Sequence, residues 1–508
     1  MCGIAGIITK SPLLPEDADL VARMNRRLTH RGPDGDGHHE DRHVAIAMRR
    51  LSIIDLTTGW QPLYNEDRSL ALVCNGEIYN FVELRQQLEA RGHRFATKSD
   101  CETILHLYED HGDACVDHLR GMFAFALWDS RKRRLLLARD RMGEKPLYLA
   151  QRDDRLVFAS ELRALVNAGA VPFELDPASI YQFFFYGHVP EPLAAVKGVR
   201  KLPAGHTLSV DVDRWRVEQR CYWRLEDSPP LEGDPAALIR KELDRICEIV
   251  IRSDVPVGVA LSGGLDSSVI ATLAAKRYPG TMHAITVGYP GRTFQDERAD
   301  ARALAEYLKL PFHEVTVSTE EMTQALPREI FDCDDPIVDL SGLSFYYVMR
   351  RARELGVPVM LAGNGGDELF WGYAWVRQAV RFTERKQTLR SNGGLSRKDY
   401  LQLTKPPISY IGTLRWLKSV GGLGSGLKQY HTDRTSPAER MVFQDLTPMF
   451  QAALRQLPLV MGATFQQQVH DVDPCAPFTH ALPWPRIDIA IVRAIVDTYM
   501  MENGLAQG

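Results

Sequence analysis

The sequence of 508 residues is poor in cysteine, in unbroken apolar stretches and in excess positive charge. Its eight cysteines (Cys2, Cys74, Cys101, Cys115, Cys221, Cys247, Cys333, Cys475) are irregularly spaced and none forms a CxxC pair. That excludes a disulfide framework and makes a reducing, cytoplasmic location the expectation. No apolar run approaches the roughly 18 residues that span a bilayer. Met1–Ile8 is too short, and lacks the cationic start, for a signal peptide. Lys and Arg number 61 against 65 Asp and Glu, a net charge of −4. The basic excess of nucleic-acid and membrane-surface proteins is therefore missing, and small solutes or other proteins are the expected partners. What is present, 45% apolar and 25% charged residues, is the balance of a globular protein long enough for several domains.

From Ile4 to about Phe158 the pattern is of short β-rich runs (Ile4–Ile8, Val44–Ala47, Leu70–Val73, Met122–Leu127, Leu135–Ala138, Leu156–Phe158). Two helices, Phe81–Arg91 and Cys101–Glu109, interrupt them, and the mixture predicts an α+β sandwich. Leu175–Pro230, with Pro at 177, 190, 192, 203, 229 and 230, reads as a connector. After Asp234 helical and apolar stretches alternate: helix 236–251, strand Val257–Leu261, helix 267–276, strand Met282–Val287, helix 296–308, strand Phe312–Val317, and the run Val357–Ala362. That alternation predicts a doubly wound parallel sheet, whose ligands sit at the carboxyl ends of the strands. Gly421–Gly426 reads as a flexible loop. The scatter Arg381, Arg385, Lys386, Arg390, Arg397 and Lys398 reads as a solvated helical face.

Cys2 follows the initiator Met and precedes the small Gly3, so loss of Met1 leaves a thiol and a free α-amine on one residue. The amine, with an ordinary pKa of about 7.7–8.0, can take the thiol proton and make a nucleophile without a histidine. Taken alone, Cys2 reads more readily as a buried structural cysteine at a strand start. Around it stand Arg31-Gly32-Pro33-Asp34-Gly35, Arg50-Leu51-Ser52-Ile53-Ile54-Asp55, Asn75-Gly76-Glu77-Ile78-Tyr79-Asn80, Ser99-Asp100-Cys101-Glu102 and Arg139-Asp140-Arg141-Met142-Gly143. On these ordered motifs the segment from Cys2 to about Leu165 resembles the glutaminase domain of class II glutamine amidotransferases, specifically that of asparagine synthetases. The resemblance implies Arg50 as the clamp for glutamine's carboxylate, Asp100 and Glu77 at its ammonium, and Asn75 with the Gly76 N–H as the oxyanion hole. Arg31, Asp34, Asp140 and Arg141 read as salt-bridged turn residues shaping the walls. His38, His39, Glu40, Asp41 and His43 read as a surface loop, not a metal site.

Strand Val257–Leu261 runs into Ser262-Gly263-Gly264-Leu265-Asp266-Ser267-Ser268 and then a helix. Glycines admit close backbone approach and the helix start favours anions, so this is a phosphate cradle. The Gly-Lys-Ser/Thr of a Walker A loop is absent. Asp266 inside an anion site requires a bridging cation, and Mg2+ suits it. The segment resembles the pyrophosphatase loop of enzymes that split ATP between the α and β phosphates. The resemblance continues through Asp335-Pro336, Asp339-Leu340-Ser341, Gly363-Asn364-Gly365-Gly366-Asp367 and Gly372-Tyr373. It implies Leu261, Ser262, Gly263, Gly264, Asp266, Ser267, Ser268, Val287 and Gly363 at ATP, and Asp266 with Asp367 at the metal. A dinucleotide reading of the glycines at 363–366 lacks the GxGxxG spacing.

Together these imply an α+β N-terminal-nucleophile sandwich (αββα), residues 2–210, followed by an α/β doubly wound parallel-sheet ATP-pyrophosphatase domain, residues 230–508. The expected activity is glutamine hydrolysis, ammonia transfer through an apolar tunnel, and ATP-dependent amidation of a carboxylate, aspartate first. The expected partners are glutamine, ATP with Mg2+ and the acceptor, with no nucleic acid or membrane and with the homodimer that the family forms. Two departures from the family stand out: Asn364 lies where a carboxylate base is usual, and the resemblance stops near Glu502-Asn503-Gly504-Leu505, before a helical stretch with a catalytic lysine. The alternatives are therefore another acceptor, such as a sugar acid or natural-product intermediate, or a glutaminase-only or non-catalytic nucleotide-binding protein.

Overall fold

The structure is a computed structural model that describes residues 1–291, 296–339, 341–391, 440–441, 443, 448–479, 486–498 and 500. They form two compact units, one of residues 1–366 with the chain end from 498, the other of residues 367–497.

The first unit opens with two antiparallel six-stranded sheets. One contains β1 (Gly3–Thr9), β2 (Gly35–Asp41), β3 (Val44–Arg50), β8 (Tyr148–Gln151), β9 (Arg155–Ala159) and β10 (Val199–Lys201). The other contains β4 (Leu63–Tyr64), β5 (Leu70–Ile78), β6 (Gly121–Asp129), β7 (Arg134–Arg139), β11 (His206–Asp211) and β12 (Arg216–Cys221). Side chains alternate across a strand, and β1 shows why these runs are apolar on both faces. Ile4 and Ile8 point between the sheets, with Val44, Ile46, Val73, Ala126 and Trp128. Ala5 and Ile7 point outward, under α1 (Pro15–Arg27) and α4 (Leu162–Asn167), against Val21, Met24 and Leu165. Beneath the second sheet, α2 (Phe81–Ala90) and α3 (Glu102–His111) cover Leu72, Cys74, Phe123 and Phe125 with Leu84, Leu88, Ile104 and Leu105. The result is the expected αββα sandwich.

Two local expectations are corrected. Residues 38–41, read as a loop, belong to edge strand β2, paired with β3 from Gly35↔Arg50 to Asp41↔Val44. The alternation of polar side chains there is the half-exposed pattern of an edge, which the glycines at 35 and 37 disguise. The connector is also structured: α5 (Pro177–Tyr186) is capped by Asp176, whose carboxylate accepts from Ser179 N, and β11 pairs with both β7 and β12. Its prolines sit at helix starts and between strands, where their missing N–H is harmless, and the second sheet runs on to Cys221.

A parallel four-stranded sheet follows, in the order β15 (Phe312–Thr316), β14 (His283–Gly288), β13 (Val257–Ala260), β16 (Val359–Leu361). Helices α6 (Pro235–Val250), α7 (Leu265–Ala275), α8 (Arg298–Tyr307), α9 (Thr319–Asp332) and α10 (Ser341–Glu354) alternate with the strands. Ala271, Ala274, Ala301 and Ala305 of α7 and α8 cover one face, and Val348 and Ala352 of α10 cover the other, as in a doubly wound sheet.

The sandwich and this sheet are joined by polar contacts. Asp334 accepts from Leu162 N (3.0 Å) and Arg163 N (3.1 Å). Asp335 accepts from Ala195 N (2.8 Å), Tyr148 Oη (3.0 Å) and Lys201 Nζ (3.0 Å). Arg252 forks onto Glu83 (2.6 and 2.7 Å), and Asp254 accepts from Asp55 N (2.7 Å).

The second unit is helical in its described residues: α11 (Gly366–Leu369) at the boundary, then α12 (Ala374–Ser391), α13 (Pro448–Val460), α14 (Ala463–Gln468) and α15 (Ile487–Ile495). Trp375, Phe443 and Phe478 stack in series, at 5.4 and 5.8 Å. Lys386, expected on a solvated face, is buried and donates to Arg440 O at 2.7 Å. Gly421–Gly426, Arg397, Lys398, Leu340 and 502–508, with the side chains of Arg385 and Arg390, lie outside the described residues.

Phe158 is fully buried between the two sheets of the sandwich, over Gly6, where an added Cβ would lie 2.4 Å from its ring. Phe158→Ala should cost about 3–5 kcal/mol, read as a lower urea midpoint for unfolding of this domain.

Candidate active site

A cavity of about 830 Å³ lies inside the first unit, lined by Cys2, Arg50, Asn75, Gly76, Glu77 and Asp100 among others. Every residue expected at glutamine is therefore in one place. Cys2 ends on the first sheet beside β3, where Sγ lies 3.3 Å from Leu51 N and 3.5 Å from Leu51 O. Arg31 fixes the backbone by donating Nε to Cys2 O at 2.9 Å while pairing with Glu161 at 3.1 Å. Burial pushes the Cys2 thiol up, against the Leu51 N–H and the nearby amine and Arg50 that favour thiolate. The thiol is thus neutral until a base takes its proton.

β5 supplies Asn75, Gly76 and Glu77 in succession, its register with β6 unbroken from Leu70↔Asp129 to Ile78↔Gly121. Gly76 is required there, because a Cβ would meet Met122 O at 2.2 Å. Arg50 extends across Trp60, its Nη2 held by Asp55 O (2.6 Å) and Ile54 O (3.1 Å). Two buried donors that line this cavity, Arg50 Nη1 and Asn75 Nδ2, have no partner among the described residues. An unpaired buried donor is expensive, so both are suited to a ligand's oxygens.

The carboxyls complement them. Asp100 accepts from Ile78 N at 2.7 Å, and burial raises its pKa. Burial and then the charge of Asp100 raise Glu77 to about 7. Two desolvated carboxyls in one pocket are stabilised as anions by a bound cation. The pocket therefore offers donors for an oxygen-bearing group and acceptors for an ammonium.

Sequence reasoning missed Leu51 as the holder of Cys2, and missed Lys145, a buried cation whose pKa burial depresses and whose Nζ lies 3.0 Å from Met1 Sδ. The signal was local: Asp140, in a quoted motif, takes the N–H groups of Phe123, Met142, Glu144 and Lys145 and so shapes the loop carrying Lys145. Of the residues read as salt-bridged turns, only Arg31 is one. Asp140 binds backbone N–H groups, Asp34 accepts from Ser52 N (2.7 Å), and Arg141 donates to the carbonyls of Leu119 and Asp117.

The same cavity is lined by residues of the parallel-sheet domain, among them Ile246, Ile249, Ile270, Phe345, Met349 and Leu361, with Asn364. At that sheet, residues 261–264 link β13 to α7, and 265–268 form the first turn of α7. Ser262 Oγ and Ser267 Oγ lie 2.9 Å apart, and Ser262 Oγ accepts from Gly264 N at 3.1 Å. Gly263 has φ +92° and no room for a Cβ beside Glu297 O (2.6 Å), so only glycine serves there. Gly363 and Gly366 lie so close to Asp266 that added Cβ atoms would be 2.9 Å from its carbonyl carbon and 2.2 Å from its carboxyl carbon. Leu261 is buried and offers only backbone, its N–H already bonded to Ile285 O. Val287 is on β14, at the other side of the loop's strand, and Asp367 opens the second unit on α11.

An αββα sandwich with a half-buried cysteine just before its first strand, followed by a parallel sheet with a Ser/Gly loop at the carboxyl end of a strand, is the architecture of an N-terminal-nucleophile fold joined to a doubly wound α/β domain. Residues 1–223 match the family described as a glutamine amidotransferase domain and residues 238–460 the family described as asparagine synthase. Glutamine-hydrolyzing asparagine synthetase 1 of Bacillus subtilis (strain 168) is 37% identical over 385 residues, 75% of this chain and 60% of that protein. Glutamine-hydrolyzing asparagine synthetase 3 of Arabidopsis thaliana is 34% identical over 418 residues, 80% of this chain and 67% of that protein. The chain belongs to the glutamine-hydrolyzing asparagine synthetase family. It spans 60% and 52% of the length of the two Bacillus subtilis relatives. A solved structure, glutamine phosphoribosylpyrophosphate amidotransferase from B. subtilis, aligns at a TM-score of 0.33 with 18% identity, over 72% of this chain and 82% of its own. No helix among the described residues is long and apolar enough to cross a membrane.

The raised pKa of Cys2 has a direct readout. Alkylation of Cys2 by iodoacetamide in the unprocessed chain should be slower than that of free cysteine at neutral pH and should accelerate as pH rises. Mass spectrometry of the N-terminal peptide measures it, and a rate above that of free cysteine at neutral pH would contradict the reading.

Proposed function

We propose that the protein is a glutamine-dependent ligase that hydrolyses glutamine at Cys2 and uses the ammonia, with ATP, to amidate a carboxylate, aspartate being the first candidate. The observation that carries this reading is the single cavity, which has the Cys2 pocket and the apolar side chains of the parallel-sheet domain in one lining.

After loss of Met1, the Cys2 α-amine takes the place of a base. That amine, with an ordinary pKa of about 7.7–8.0, is on the same residue as Sγ and can accept its proton. Arg50 Nη1 takes the glutamine α-carboxylate, and Glu77 with Asp100 the α-ammonium. Sγ attacks the side-chain amide carbon, and the oxygen that gains charge is met by Asn75 Nδ2 and the Gly76 N–H. One such donor is worth about 3–4 kcal/mol of barrier. The C–N bond breaks, ammonia leaves with the proton relayed by the amine, and water cleaves the thioester to glutamate.

Ammonia that met bulk water would become ammonium, whereas an apolar lining holds it neutral and local. At the second site the acceptor carboxylate attacks the α phosphorus of ATP, pyrophosphate leaves, and ammonia displaces AMP to give the amide. Ser262, Gly263, Gly264, Ser267 and Ser268 bind the phosphates, with Leu261, Val287 and Gly363 bordering the nucleoside. Asp266 and Asp367 are oxygen donors of the type Mg2+ would take, and Gly366, without a Cβ, makes room for the Asp266 carboxyl. When bound, that ion neutralises phosphate charge. The domains are read as 2–210 and 230–508, a homodimer is the proposed assembly, and the cytoplasm the proposed location. Asn364, a neutral amide in the cavity lining, supports a second reading in which the acceptor is another carboxylate.

Incubation with glutamine, ATP, Mg2+ and aspartate should yield glutamate, AMP and asparagine together. Glutamate without AMP would leave a glutaminase only, and AMP with a different acid alone would move the assignment to that acid. Cys2→Ala should abolish glutamate release. Because Glu77 is protonated below about 7 and anionic above it, kcat/KM for glutamine should fall as pH drops through that value. Glu77→Gln should remove this limb and raise KM about 10–100-fold, the loss expected for one charged hydrogen bond.

A further inference from the structure

A second set of ligating side chains lies in the amidotransferase domain, away from the glutamine groups. Glu66 is in the turn between β4 and β5, His93 is in the segment after α2, and His106 and Glu109 are one turn apart on α3. One ligand atom from each lies within 4.8 Å of the others. Glu109 Oε2 is 2.9 Å from His106 Nδ1 and 3.3 Å from His93 Nδ1, and Glu66 Oε2 is 3.8 Å from His106 Nδ1. The edge of a tetrahedron with bonds of zinc length is about 3.3 Å.

The partners of the remaining heteroatoms separate this cluster from a chance collection of charges. His93 Nε2 meets Asp110 Oδ1 at 3.0 Å. His106 Nε2 faces the fully buried Glu102 at 3.7 Å, and the carboxylate of Glu102 is itself held by the N–H groups of Ala96 and Thr97. Glu109 Oε1 accepts from Asn65 Nδ2 at 2.8 Å, and Glu66 Oε1 from Arg94 N at 3.0 Å. Three of the four residues are thus held through their far atoms by hydrogen bonds, while His106 Nε2 only faces Glu102, and two Nδ1 and two Oε2 atoms are left close together. Carboxylates behind both histidines are the usual outer support of metal-bound imidazole.

We propose that Glu66, His93, His106 and Glu109 form a closed four-ligand site for zinc that ties α3 to the β4–β5 turn and to residues 91–100. Two imidazoles with two carboxylates suit zinc over magnesium or calcium, which take oxygen alone. Four protein ligands leave no open position, so the site is structural. Binding displaces any proton on the two Nδ1 atoms to solvent. Its place in the fold gives it a purpose, since α3 begins two residues after Asp100.

The test uses the full chain, stripped with chelator, then titrated with zinc by calorimetry and with cobalt by absorption. The expected result is one tight metal per chain, a higher melting temperature with zinc, and a four-coordinate cobalt spectrum without the charge-transfer band of a cysteine ligand. His93→Gln and Glu109→Gln should each abolish this binding, Asp110→Asn should weaken it about 10–100-fold, and Asp266→Asn should leave it unchanged. No stoichiometric metal on the wild-type chain, a thiolate band, or binding indifferent to His93→Gln and Glu109→Gln would each overturn the proposal. The first result would leave an ion-paired histidine network. The wild-type titration and spectrum decide even where a variant fails to fold.

Discussion

The architecture of the first unit rests on two consecutive carboxylates. Asp334 and Asp335 leave the end of α9 and enter the sandwich, one binding two backbone N–H groups at the start of α4, the other a tyrosine, a lysine and a third N–H. Buried carboxyls are tolerated only when their lone pairs are used; burial pushes Asp334 up to about 7, and the partners of both carboxyls come from the other domain. The chain between Asp335 and β16 is thereby constrained, and it includes α10, whose Phe345 and Met349 line the cavity. The Arg252–Glu83 fork ties the end of α6 to α2 in the same way. The enclosure around Cys2 is thus completed by the second domain.

Within that enclosure the charges are incomplete in complementary ways. Glu77 and Asp100 are too desolvated to ionise comfortably, while Arg50 Nη1 and Asn75 Nδ2 are donors without acceptors. A zwitterion with an amide side chain would answer all of these at once. The Cys2 thiol is raised by the same desolvation, against the opposing pull of the Leu51 N–H and the terminal amine.

Much of this was legible in the residues. Six of the twelve sandwich strands (β1, β3, β5, β6, β7 and β9) and the alternation of the parallel sheet emerged from the apolar pattern, because both faces of those strands are largely buried; the short β4, β8 and β10 did not. The ordered motifs around Cys2 located its pocket. Legibility failed where polarity masked order: β2 exposes alternate side chains and reads as a loop, and β11 with β12 lies among prolines. It failed again where a role depends on a distant partner. Asp335 sits in a motif that reads as part of the nucleotide domain, yet its oxygens serve the sandwich. The cluster at His93 and His106 is assembled from three separate segments, so no local spacing marks it in the sequence.

The join made by Asp334 and Asp335 has a further consequence. Their side chains are 15% and 7% exposed, and mobile ions screen buried pairs far less than surface ones. Raising the ionic strength should therefore loosen exposed pairs such as Arg131–Asp67 long before it reaches this seam. The walls that this seam gives the Cys2 cavity should hold in dilute buffer and in concentrated salt alike.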